Sequence, residues 1–214
     1  MVKPAETSQT LGRGLQVLEL LANSPRGLTV TELSEQLDIG RTVVYRLVTT
    51  LEQHQFAERD ADGRVRLGWA ALSLARSAMP QLRVQALPVL RTLADTVGAT
   101  AHLTCAEGEE AVAVAVVEPR WTDMHVGYRE GLRHPLTVGA AGKAILAARK
   151  GKPAVVRSTG ELQVGAHGVA VVVALTGAHV ELSVGVVALA PLSKSTDVAV
   201  RNAAASLASG FSRR

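Results

Sequence analysis

Aromatic side chains make up only 3% of this 214-residue chain, two each of Trp, Tyr and Phe. Its cores must therefore be built from Ala, Val and Leu, and a ligand pocket has few rings available for stacking. The single cysteine, Cys105, excludes an intrachain disulfide and fits a reducing compartment. The opening residues, MVKPAETSQT, contain no apolar run of signal-peptide type. The apolar run at residues 169–175 is far too short to span a bilayer and reads as a buried strand. A cytoplasmic protein with no membrane segment is the expectation.

Catalytic constellations are also missing. The six histidines, at positions 54, 102, 125, 134, 167 and 179, show no HxxxH or His/Cys metal spacing. No GxSxG occurs, and Cys105 sits in an apolar strand pattern that suits packing. GAAGKA at residues 139–144 fails the GxxxxGK[ST] phosphate-loop pattern, because the spacing is short and Ala144 replaces the magnesium-binding hydroxyl. No enzyme activity, metal or cofactor is expected.

What is present is an apolar content of 47% with 20% charged residues, enough to bury proper cores. The net charge is +4, yet residues 1–80 carry nine Lys/Arg against nine Asp/Glu, and residues 81–214 carry fourteen against ten. Bulk basicity therefore does not mark the N-terminal part as a nucleic-acid binder, and the argument rests on where individual charges fall.

In residues 11–22, Leu15, Leu18, Leu20 and Leu21 follow helical spacing, and Pro25-Arg26-Gly27 stops the helix. Thr29-Val30-Thr31-Glu32 is a capping box that opens a second helix, whose inner face is Val30, Leu33 and Leu37. After the turn Asp38-Ile39-Gly40, a third helix covers residues 41–53. At 100° per residue Val44, Leu47, Val48 and Leu51 share one side, and Arg41, Thr42, Tyr45, Arg46 and Thr49 share the other. Two short helices joined by a tight turn, the second with a cationic and hydroxyl-rich outer face, have the helix-turn-helix layout. Two short strands then flank Asp62-Gly63, a hairpin signal. Arg64 and Arg66 alternate with Val65 and Leu67, so one face packs while the other meets phosphate, as a wing does.

The segment GRGLQVLELLANSPRGLTVTELSEQLDIGRTVVYRLVTTLEQHQFAERDADGRVRLG resembles the N-terminal domain of the IclR (isocitrate lyase regulator) family, with RTVVYRLVTTLE matching its recognition helix and Tyr45-Arg46 its Tyr-Arg pair. HPLTVGAAGKAILA and VGVVALAPLSKSTDVAVRNAAASLA are similar to that family's sensing domain. The resemblance implies a prokaryotic transcription regulator with a GAF-like effector domain, acting on double-stranded operator DNA as a homodimer or tetramer.

Further along, residues 69–78 are helical in pattern and end at Met79-Pro80, and a helix at 83–97 has Pro88 as a start or kink. Strands at 102–106 and 111–117 flank a turn at 107–110. Residues 125–128 form a further candidate strand, and strands at 169–175 and 184–190 surround Gly177-Ala178-His179. A helix starts at Lys143, and a last one runs over 196–208. This mixture predicts an α+β protein: a winged helix-turn-helix at 1–68, a linker helix at 69–80, and an effector and oligomerisation domain at 81–214. The small residues Ala140, Ala141 and Gly142 leave backbone N–H groups free at a helix start, where an anion such as an effector carboxylate is expected. One departure from the family bears on this. Arg149-Lys150-Gly151-Lys152-Pro153 passes quickly into STGELQVGAHG, so the domain is shortened, and the acidic and cysteine positions of relatives are replaced around Val169-Ala170-Val171-Val172. The second expectation is accordingly a C-terminal domain that binds no ligand and only oligomerises.

Overall fold

A computed structural model describes residues 7–121, 126–175 and 180–212. The chain divides into two compact units, Met1–Ala78 and Met79–Arg214. The architecture is α+β.

In the first unit α1 (Gln9–Ala22), α2 (Val30–Leu37) and α3 (Arg41–Gln53) precede an antiparallel hairpin of β1 (Ala57–Arg59) and β2 (Val65–Leu67). The capping box forms in full: the Glu32 N–H donates to Thr29 Oγ1 at 3.2 Å and the Thr29 N–H donates to Glu32 Oε2 at 2.7 Å. Asp38 adopts the left-handed conformation, φ 52°, and turns the chain into α3. Val17, Leu21, Leu33, Val44, Leu47, Val48, Ala57 and Val65 close one core, so the apolar face read from the spacing of α3 is the buried one. Leu28 bridges to Val65 and ties the chain ahead of α2 to the hairpin.

The second unit is built on a six-stranded antiparallel sheet in the order β5-β4-β3-β8-β7-β6. Its strands are β3 (Thr100–Glu107), β4 (Glu110–Val117), β5 (Arg133–Pro135), β6 (Val156–Thr159), β7 (His167–Val173) and β8 (Leu182–Ala188). Alternate residues face opposite ways. Ala101, Leu103, Val169, Val171, Val184 and Val186 pack with α4 (Ala70–Val97) and α6 (Ser195–Ser212). The other face carries His102, Thr104 and Ala170, and meets α5 (Gly139–Arg149) through Ala140, Ala141 and Ala144. No described helix is long and apolar enough to cross a membrane.

The structure departs from these expectations in three places. The break at Met79-Pro80 does not occur, because α4 runs through both Pro80 and Pro88. A proline removes one i→i−4 hydrogen bond. Here the carbonyls left without that partner belong to Arg76 and Val84, both exposed, while the stripe Ala86, Leu90, Leu93 and Ala94 stays buried. Residues 126–128 form no strand; His125 lies outside the described residues, as does Gly177-Ala178-His179 between β7 and β8. The short strands β5 and β6 were not anticipated.

Candidate functional site: the outer face of α3 and the start of α5

On α3 the burial of Val44, Leu47 and Val48 turns Arg41, Thr42, Tyr45 and Arg46 outward, all exposed, with Thr49 half-buried beside them. The guanidinium groups of Arg41 and Arg46 have no carboxylate partner among the described residues. The wing arginines differ. Arg66 pairs with Asp60 at 3.0 Å. Arg64 turns inward, its Nη1 donating to the Gly27 carbonyl at 3.1 Å and to Glu32 Oε2 at 3.2 Å. Arg64 thus extends the α2 capping box. The Glu32 carboxyl is held below its ordinary range, first by the Thr29 backbone N–H and hydroxyl, then by Arg64.

At the start of α5, Ala140, Ala141 and Gly142 are buried. Gly142 lies against the preceding chain so closely that a Cβ there would sit 2.5 Å from the Leu136 carbonyl oxygen. Next to these residues a carboxylate of the chain itself is held: the Gly139 N–H donates to Glu161 Oε2 at 2.9 Å, and Lys143 Nζ donates to Glu161 Oε1 at 2.6 Å. These two contacts, Lys143 first, keep the Glu161 carboxyl below its ordinary range. Glu161 and Leu162 follow Gly160, whose φ of 70° sets the turn.

Between this turn and the sheet lies a cavity of about 20 Å³, lined by His102, Tyr128, Ala140, Ser158 and Glu161 among others, space for about one water. His102 is 3% exposed. Its Nδ1 is 3.1 Å from Thr104 Oγ1 and its ring centre 4.7 Å from that of Tyr128. Burial, with a smaller contribution from His134, pushes its pKa down to about 3, so the ring is neutral. Burial likewise raises the Tyr128 phenol. On the other side of Val187 a larger pocket of about 290 Å³ is lined by Thr100, Val126 and Leu189. Thr100 Oγ1 is buried with no hydrogen-bond partner among the described residues. Sequence spacing pointed to the α5 start but not to Glu161, His102 or Tyr128, which reach it from distant parts of the chain.

The IclR helix-turn-helix domain family matches residues 10–61, and the bacterial transcriptional regulator IclR C-terminal family matches residues 78–158. The chain is 29% identical over 143 residues to the transcriptional repressor IclR of Escherichia coli, covering 65% of this chain and 52% of that protein. It is 30% identical over 141 residues to the regulator KipR of Bacillus subtilis, covering 65% and 56%. The chain thus spans about half the length of the curated relatives it matches. In fold it is similar to an IclR-family regulator from Rhodococcus sp., with a TM-score of 0.57, 22% identity and coverage of 98% and 97%. An IclR homolog from Microbacterium hydrocarbonoxydans, solved with 4-hydroxybenzoate, gives a TM-score of 0.52, 18% identity and coverage of 95% and 99%. The chain belongs to the IclR family of transcriptional regulators.

Proposed function

We propose that the chain is a sequence-specific DNA-binding regulator, working in the cytoplasm as a homodimer or tetramer on double-stranded operator DNA. The observation that carries this is the outer face of α3, where two arginines without a carboxylate partner among the described residues stand among Thr42, Tyr45 and Thr49 on a helix whose other side is locked into a core. Unpaired guanidinium groups are free to bond base edges in the major groove, which Arg does in bidentate fashion with guanine. Arg66 grips phosphate beside them, and Arg64 does so with what its guanidinium has left beyond Nη1. Residues 1–68 form the reading head, 69–80 the linker and 81–214 the effector and oligomerisation domain. The test is fluorescence anisotropy with DNA from upstream of the protein's own gene, against a scrambled duplex, across a salt series. Competitor-resistant binding with a steep salt slope is expected. Equal, weak binding to both duplexes overturns the proposal.

For the C-terminal domain two readings stand. In the first, a small carboxylate effector binds at Ala140, Ala141 and Gly142 and shifts operator affinity; the homolog solved with 4-hydroxybenzoate supports a carboxylate. In the second, the domain binds no effector and serves to oligomerise. The Glu161 carboxylate on the Gly139 N–H and the one-water cavity favour the second. Calorimetry with 4-hydroxybenzoate on wild type and Glu161→Ala separates them. Heat of binding that grows in the variant supports the first reading, because the resident carboxylate no longer competes. No heat in either protein at millimolar ligand supports the second.

A further inference from the structure

Arg59 is engaged differently from the other wing arginines. Its guanidinium carbon lies 5.5 Å from the centre of the Tyr45 ring. Its Nε donates to Glu52 Oε1 at 3.2 Å. Tyr45 and Glu52 are seven residues apart on α3, two turns of helix, and so share a face. Within β1, Ala57 and Arg59 project to the same side of the strand. Ala57 is buried in the helical core, which directs Arg59 across the flank of α3, and the pairing of Arg59 with Val65 in β2 fixes the strand there. A planar guanidinium stacks on a ring and bonds a carboxylate in its own plane at once; a lysine ammonium does not.

Tyr45 is 56% exposed. Without Arg59 it would sample several rotamers and lose that freedom on binding. We propose that Arg59 is a positioning residue for DNA reading: it holds Tyr45 in one orientation on the outer face of α3 and, through Glu52, ties the wing to the recognition helix. This rests on the reading of α3 as the DNA-facing element. Arg59 bonds Glu52 through Nε alone, so its Nη groups stay open to a phosphate, and the test has to separate positioning from a phosphate contact.

The test uses the full-length protein, a duplex that the wild type enriches from a randomised library, and a scrambled duplex of equal length. Arg59→Lys keeps the charge but cannot both face the Tyr45 ring and bond Glu52 with one planar group. A cation–π contact at an exposed site corresponds to roughly a two- to fivefold effect. Arg59→Lys should therefore lower the ratio of enriched to scrambled affinity by about that factor, with the scrambled affinity and the salt slope unchanged. Glu52→Gln should lower the ratio less, in the same direction. In a Tyr45→Leu background, Arg59→Lys should change the ratio no further. A wild-type ratio in Arg59→Lys, or an equal loss in the Tyr45→Leu background, overturns the proposal. So does Arg59→Ala weakening both duplexes alike with a flatter salt slope while Arg59→Lys restores them, since that is a phosphate contact. If the wild type enriches no sequence, the DNA reading itself fails and this proposal falls with it.

Discussion

Acidification should destabilise the second unit through one residue, His102. Its pKa falls from an ordinary 6.5 to about 3 in the folded chain, first because the ring is buried and second because His134 is near. Between those two values the unfolded chain binds one more proton at this site than the folded chain does, so stability increases with pH across the window and is lost as pH falls through 6.5. Integrated down to pH 5, the loss is about 2 kcal/mol, which moves a urea midpoint by roughly 1 M. Trp121 reports on this unit, its Nε1 donating to the Asp95 carbonyl at 3.0 Å, so urea unfolding is followed by its fluorescence in a Trp69→Phe background. The comparison protein is His102→Asn, whose amide keeps a partner for Thr104 but does not titrate. That variant loses the ring's packing at every pH, so the quantity compared is the change between pH 7 and pH 5. The Glu161 and Glu32 carboxyls, both with lowered pKa values, contribute equally to the two proteins and cancel. Equal pH dependence in wild type and His102→Asn would refute the reasoning. It would mean that the folded protein protonates His102 in place, and that the cavity supplies the water or counter-charge this requires.

Four further outcomes follow from the geometry. Gly142→Ala drives a Cβ to 2.5 Å from the Leu136 carbonyl oxygen and 2.6 Å from its Cα, so thermal denaturation should show a loss of about 1–3 kcal/mol. Gly12→Ala, on the exposed side of α1 with nothing within 4 Å, should instead stabilise by about 0.5–1 kcal/mol. Arg46→Ala should leave the melting temperature unchanged and weaken specific DNA binding by about 1–3 kcal/mol, whereas Arg64→Ala should also lower the melting temperature, because its Nη1 supports Gly27 and the Glu32 capping box. The Glu161 carboxyl, lowered chiefly by Lys143, contributes stability that is present at neutral pH and lost as pH falls through its folded value; Lys143→Met should reduce that acid-side loss in the same unfolding series.

The first unit was legible because its information is local. Thr29 and Glu32 are three residues apart, Asp62-Gly63 closes a hairpin, and the faces of α3 follow from helical period alone. The β3–β4 hairpin was legible for the same reason: Gly108 at φ 63° sits in a short turn between two apolar runs. The strands β5 and β6 are three and four residues long, and although their burial alternates, the runs Arg133-His134-Pro135 and Val156-Arg157-Ser158-Thr159 carry too little apolar contrast to show it in the sequence. They exist as strands because β4 and β7 offer edges to pair with, and that is a property of the sheet. The same division separates the two candidate sites. The residues of the α3 face can be named from one helix. The α5 start depends on Glu161, 22 residues beyond Gly139, and on His102 from an earlier strand. Small residues at a helix start predict a place for an anion, but cannot say whose. A carboxylate does sit there, brought round by a turn that Gly160 permits, and it belongs to the chain. An effector carboxylate would have to displace Glu161 from both the Gly139 N–H and Lys143, two charge-assisted contacts at 2.9 and 2.6 Å. A carboxylate ligand at this helix start would therefore compete with a carboxylate of the chain itself.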